Sequence, residues 1–190
     1  MSGSSNSPSD AVEVAAHLAA AMERAGCEYA LGGAIALGFW SQPRGTVDVD
    51  ITLFLPPEQP TGFVRLLQSV GCQLHADQAV QSLMQHGFCQ VEFEGRRVDA
   101  FLPTMPFYEL ARQRRQQVLL GTQPIMIWDA ETLCVFKMMF FRRKDLADIE
   151  QMLQLQHSLD RTWILNQITQ IYGARDPRIA QWKELTSEPS

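Results

Sequence analysis

Cysteine is scarce in this chain and never paired at short spacing. The four that occur, Cys27, Cys72, Cys89 and Cys134, form no C-x-x-C pair and have no histidine at zinc-ligand spacing. That spacing argues against a disulfide framework and a structural zinc, and the four are expected as reduced, mostly core thiols. His17, His75, His86 and His157 likewise show no ligand spacing. No apolar run approaches the roughly 20 residues that a bilayer-crossing helix needs, and no charged region followed by an apolar one opens the chain. The expectation is a protein that neither spans a membrane nor leaves by a standard signal, and a cytoplasmic location. Basic excess is missing too: 16 Lys and Arg stand against 21 Asp and Glu, a formal net charge of -5. Unspecific binding to nucleic acid is disfavoured, although local clusters remain at Arg112, Arg114 and Arg115 and at Arg142, Arg143 and Lys144. The chain has neither a G-x-x-x-x-G-K-[ST] loop nor a G-x-G-x-x-G turn, which argues against a P-loop NTPase or a Rossmann dehydrogenase. After Asp50 the further ligands and glycine of an EF-hand are lacking.

With 190 residues and 46% hydrophobic content, the chain can bury a sizeable core as one domain or as one domain with a small helical appendage. Residues 1–9, mostly Ser with Gly, Asn and Pro, have nothing to pack and read as a flexible tail. Helical spacing runs from Ala11 to Ala25 and stops at Gly26. A short strand at Tyr29 to Leu31 leads into Gly32-Gly33 and a helix from Ala34 to Trp40. Pro56-Pro57 closes the next strand, and a helix from Phe63 to Val70 ends at Gly71. Phe88 to Phe93 and Arg97 to Leu102 read as a hairpin turned at Glu94-Gly95. From there the pattern is helical: Phe107 to Val118, Ala130 to Arg143, Leu146 to His157, Arg161 to Tyr172, and Ile179 to Leu185. The predicted organisation is a core over residues 10–105 and a helical C-terminal part over 106–190 packed on it.

Asp48-Val49-Asp50 is the most informative stretch. Val47, Val49, Ile51, Leu53 and Leu55 alternate with Asp48, Asp50 and Thr52, so one strand face is apolar and the other carries two carboxylates. Like charges this close repel unless a divalent cation or a basic partner offsets them. Upstream, Gly32 and Gly33 let backbone approach a ligand closely, and the amides of the following helix start face the end of the strand, a place for phosphate. Arg44 and Thr46 shape the loop before the acidic strand or touch phosphate. Asp99 lies on the second arm of the hairpin and becomes a third carboxylate if the two strands are neighbours in a mixed sheet. Lys137 is a lone ammonium in Leu133-Cys134-Val135-Phe136-Lys137-Met138-Met139-Phe140-Phe141, so it needs solvent or an anionic partner. In one unbroken helix Lys137, Lys144 and Asp148 would share a face.

Gly-Gly, a helix, then R-x-T-x-D-x-D on a strand and a later lone acid: this order resembles the nucleotidyltransferase superfamily typified by DNA polymerase beta. Leu31-Gly32-Gly33-Ala34, Arg44-x-Thr46-x-Asp48-x-Asp50, and Lys137 with Lys144-Asp145-x-x-Asp148-Ile149 resemble the minimal nucleotidyltransferases that include AbiEii-type toxins. The resemblance covers about residues 29 to 155. It implies an α/β fold, a small mixed sheet flanked by helices with a helical C-terminal part that closes over the nucleotide. It also implies Mg2+-dependent transfer of a nucleoside monophosphate from an NTP to an acceptor hydroxyl on RNA, protein or a small molecule. Asp48, Asp50 and Asp99 would hold two Mg2+ ions, with Asp99 ligating the catalytic metal and taking the acceptor's proton. Gly32, Gly33, Arg44, Thr46, Lys137 and Asp145 would serve the nucleotide. Where many relatives carry Ser beside the second glycine, this chain has Ala34, and that phosphate contact is lost. An AbiEii-like toxin would travel with an antitoxin partner.

Two other readings stay open. One is a glycosyltransferase-like use of Asp-x-Asp for a sugar nucleotide and Mn2+, for which the chain is short and which leaves Gly32-Gly33 unexplained. The other is a catalytically silent nucleotide- or protein-binding module on the same fold.

Overall fold

The computed structural model describes residues 10–187; the tail expected over residues 1–9 lies outside them. Helix α1 (Ala11–Arg24) begins where the Asp10 carboxylate accepts the Val12 N–H, the usual way an Asp satisfies a free helix-start amide. Val14, Ala15, Leu18, Ala19 and Met22 bury one stripe of it. That stripe lies against β1 (Tyr29–Leu31), β2 (Asp48–Leu53) and β6 (Gln123–Ile127). Between β1 and β2 runs α2 (Gly33–Trp40), and after β2 come α3 (Pro60–Ser69) and α4 (Ala76–His86). The hairpin β3 (Phe88–Phe93) and β4 (Arg96–Phe101) turns at Glu94 and Gly95, with φ of 50° and 76°. Positive φ at both central residues matches the strand twist and selects glycine in such turns.

All six strands join one mixed sheet in the order β3-β4-β2-β1-β6-β5, where β5 is Gln116–Leu120. The expected neighbourhood of the two acidic strands is real: β2 and β4 are parallel partners. Val49, Ile51 and Leu53 are fully buried on one face of β2, whereas Val47, assigned to that apolar row, precedes the strand and is 66% exposed.

Three local expectations are corrected. Helix α4 was not anticipated; it is a short amphipathic segment that Gly87 closes at φ 73° and that packs on β3 through Ala79 and Leu83. The helix expected from Phe107 to Val118 stops as α5 (Phe107–Arg114). Residues 116–127 then form the β5–β6 hairpin around Gly121, and β6 runs parallel to β1 with Leu31 opposite Ile127. Sheet pairing outweighs the local helical pattern here. Arg115 reinforces the break by donating to the carbonyls of Arg112 and Tyr29, both at 2.8 Å.

Helix α6 (Ala130–Phe140) starts on Asp129, whose carboxylate accepts the Thr132 N–H at 2.9 Å, and ends at Phe141 with φ 55°. The chain turns there into α7 (Arg143–Leu155), followed by α8 (Arg161–Tyr172) and α9 (Pro177–Thr186). Trp40 ties three distant segments: its indole N–H donates to the Trp128 carbonyl at 2.8 Å and its carbonyl accepts from Gln156 at 3.0 Å. Among the described residues no helix is long and apolar enough to cross a membrane. Cys72, Cys89 and Cys134 are buried thiols and Cys27 is half-buried.

Candidate active site

The register of β2 and β4 sets the acidic face. Asp48 lies opposite Arg97 and Asp50 opposite Asp99, and on the far side of β4 the partners in β3 are Glu92 and Gln90. Parallel strands about 4.8 Å apart bring the side chains of such partners onto one face. Asp50 and Asp99 are thus side by side, as the sequence suggested. Burial pushes the Asp50 carboxyl up to about 6, with the negative charge of Asp99 acting in the same direction and Lys137 opposing it. Burial also raises Asp99, against the nearby Arg97 guanidinium. One carboxylate oxygen of Asp99, Oδ1, is buried and accepts no hydrogen bond.

Asp48 faces a different neighbour. Its carboxylate accepts a hydrogen bond from the Arg97 guanidinium, whose Nε stands 3.7 Å from Asp99 Oδ1. Arg97 therefore sits between two of the three acids. Among the described residues no three His, Cys, Asp or Glu side chains stand ready to hold a metal ion. The donor chemistry of the site, carboxylate oxygens with one that accepts no hydrogen bond, suits a hard divalent cation. Asp48 would have to leave Arg97 to join it.

Gly33 closes the floor. Its φ is 51°, and a Cβ built there would lie 2.6 Å from Asp50 Cγ and nearer still to Oδ2. No residue but glycine fits while Asp50 keeps this place. Gly32 donates its N–H to the Asp50 carbonyl at 2.9 Å, and a Cβ on it would meet the Trp128 indole at 3.2 Å. The close approach that these glycines permit is to Asp50 and Trp128. Thr46 shapes the strand entry: its hydroxyl donates to the Asp48 carbonyl at 2.9 Å and accepts the Asp48 N–H at 3.3 Å.

Opposite the acids stands a basic wall of Arg44, Lys137, Arg142 and Lys144; together with Asp145, Trp128, Phe136 and Tyr108 it lines a cavity of about 130 Å³. Lys137 has its anionic partner within the protein: Nζ lies 2.6 Å from Asp148 Oδ2, both side chains about 95% buried. Arg44 clasps the same carboxylate with two hydrogen bonds of 3.0 Å. Burial works to raise the Asp148 carboxyl, but hydrogen bonds from Arg44 and Lys137 hold it below its ordinary range. The turn at Phe141 breaks the single helix that would have put Lys137, Lys144 and Asp148 on one face, and it is the folding back of α7 onto α6 that brings Asp148 to Lys137. Asp145 accepts the Arg142 N–H at 3.2 Å and its guanidinium at 2.6 Å, so it caps the start of α7 from the cavity's edge.

No protein-family model matches the sequence, and no curated protein matches it. Among solved structures, the antibiotic-resistance factor ANT(2'')-Ia superposes with a TM-score of 0.57 at 12% identity, over 84% of this chain and 90% of its own. The fold is that of a nucleotidyltransferase. An antigenic nucleotidyltransferase-like protein from Paracoccidioides brasiliensis is also similar, with a TM-score of 0.47 and 17% identity over 94% of both chains.

In this nucleotidyltransferase fold every residue singled out from the sequence, Asp48, Asp50, Asp99, Gly32, Gly33, Arg44, Thr46, Lys137 and Asp145, lines the same cavity. Arg97, which the sequence offers as a local ion-pair partner of Asp99, stands near it on the same strand face. Sequence reading missed Trp128 and the anchoring role of Asp148. Trp128 and Asp148 depend on tertiary pairing of β6 and α7, for which the sequence carries no local signal.

Proposed function

We propose that the chain is a Mg2+-dependent nucleotidyltransferase, moving a nucleoside monophosphate from an NTP to an acceptor hydroxyl. The observation that carries this reading is the pairing of Asp50 with Asp99 on one sheet face, across a small cavity from Arg44, Lys137, Arg142 and Lys144. An acidic side suited to divalent cations facing a basic side suited to phosphate is what a metal–triphosphate complex requires. Asp48, Asp50 and Asp99 would hold Mg2+, which when bound neutralises triphosphate charge and stabilises the entering and leaving oxygens. The chain's own residues do the rest. The basic wall orients the phosphates, the Gly33 backbone keeps Asp50 at the helix start, and Asp99 Oδ1, which accepts no hydrogen bond, is the site at which the acceptor's proton would be taken up.

RNA, a protein side chain and a small hydroxyl compound all suit this chemistry as acceptors. ANT(2'')-Ia, by its description an antibiotic-resistance factor, supports including antibiotics among them. The resemblance to AbiEii-type proteins supports including a toxin role with an antitoxin partner.

A second reading is favoured by one observation: Asp48 and Lys137, the acid and the cation expected to meet ligand, are both partnered internally. That arrangement also suits a nucleotide- or protein-binding module without turnover. Titration of each NTP with and without Mg2+ into wild type and Asp50→Ala, followed by transfer assays with labelled NTP and the three acceptor classes, separates the readings. Metal-dependent binding lost in Asp50→Ala, together with label transfer that Asp48→Ala also abolishes, supports the enzyme. Binding without transfer to any acceptor supports the module, and full transfer by both variants would overturn the proposed site.

A further inference from the structure

We infer that Arg97 is a resident counter-ion: its guanidinium holds the place of a divalent cation between Asp48 and Asp99, and it must swing out before a metal ion can join these carboxylates. The inference rests on the proposed metal-dependent function and adds a residue that neither motif nor resemblance assigns.

The strand register makes the arrangement. On the acidic face Arg97 is flanked by Asp48 on β2 and Glu92 on β3, with Asp99 two residues along its own strand and Asp50 diagonal to it. Arg97 is the cation whose contacts reach both Asp48 and Asp99 from within the sheet; Lys137, Lys144 and Arg142 act on the acids from α6 and the start of α7, and Arg44 from the loop before β2. Two ionised acids on adjacent strands repel unless a positive charge offsets them or one takes up a proton. Here that charge is contributed by the protein.

The position is built to be vacated. The Arg97 side chain is 51% exposed, while its partners Asp48 and Asp99 are 28% and 18% exposed. The acids are the more enclosed members, and the cation has a path to water. A half-exposed ion pair is weak, so a divalent cation can displace it. Lys137, by contrast, is locked on Asp148 in the interior and cannot serve as such a placeholder. The arrangement also accounts for the missing ready-made cluster of three ligands, because Asp48 is turned to Arg97.

Mn2+ binding to the nucleotide-free protein, read by electron paramagnetic resonance of the free ion, tests this directly. Arg97→Ala is expected to bind Mn2+ about three- to tenfold tighter than wild type, and Arg97→Lys close to wild type, with melting temperatures within a few degrees of it. Equal or weaker Mn2+ binding by Arg97→Ala would overturn the inference, since Arg97 would then support the site. Wild-type binding of Mn2+ with a non-hydrolysable NTP, alongside no gain in Arg97→Ala, would overturn the inference and leave the proposed function standing. No Mn2+ binding by either protein, with or without the NTP, would overturn both.

Discussion

Lys137 and Asp148 close an ion pair of 2.6 Å across the angle between α6 and α7, nearly out of reach of water. Arg44 reaches the same carboxylate from the loop that precedes the acidic strand, so a single side chain joins three segments of the cavity wall. Removing one partner of a buried pair leaves a charge stranded at a cost of about 3–5 kcal/mol. Asp148→Asn, which strands Lys137, is expected to lose more stability than Lys137→Met, after which Asp148 keeps Arg44. Urea denaturation of the two variants checks the ranking; equal losses would show that Arg44 contributes nothing.

The same pair sets an acid limit. Because the native Asp148 carboxyl is held below its ordinary range, its contribution is present above the unfolded value near 4 and is lost as pH falls through the lower native value. Asp148→Asn should therefore flatten the acid limb of the stability curve below about pH 4, in melts recorded from pH 2 to 7.

Asp50 works in the opposite direction. With its carboxyl raised to about 6, the native state holds a proton that the unfolded chain has already released, so stability falls as pH rises from about 4 through 6. In metal-free buffer Asp50→Asn is expected to be more stable than wild type at pH 7, by on the order of 2–3 kcal/mol, and no more stable at pH 4. If Mg2+ binds here, adding it at pH 7 should raise the melting temperature of wild type and leave Asp50→Asn unmoved.

Gly33→Ala tests the contact between helix start and carboxylate. The added methyl cannot coexist with Asp50 as placed, and the left-handed backbone penalises any side chain. The expected result is a stability loss of about 1–3 kcal/mol together with loss of metal-dependent nucleotide binding. Gly45→Ala, where nothing lies within 4 Å of the added atom, is the control and should bind as wild type does.

The acidic strand, the hairpin after it and the Gly-Gly entry to α2 were legible because each has a local cause. Period-two alternation placed Asp48 and Asp50 on one face, and Glu94-Gly95 announced its turn. Asp145, read as able to cap its helix or pair with an adjacent basic residue, does both with Arg142, whereas the partner of Lys137 was not legible as such. Lys137 advertised a need for an anion without saying which, and only the turn at Phe141, a left-handed position taken by a bulky residue, brings Asp148 to it. The β5–β6 hairpin was hidden for a related reason. Gln116 to Leu120 has too short a pattern to separate strand from helix, and its conformation is decided by β6 lying against β1, far away in sequence.

That last pairing bears on how the molecule holds together. β1, from the first fifth of the chain, has β2 on one side and β6 on the other, so a fragment ending near residue 105 would keep the acids yet expose a raw strand edge along Tyr29–Leu31, the kind of surface that recruits other chains. Trp40 would lose its acceptor at Trp128 in the same cut. The acidic strand and the helices across the cavity are therefore expected to melt in one transition, and the fragment to aggregate instead of reporting on half a site.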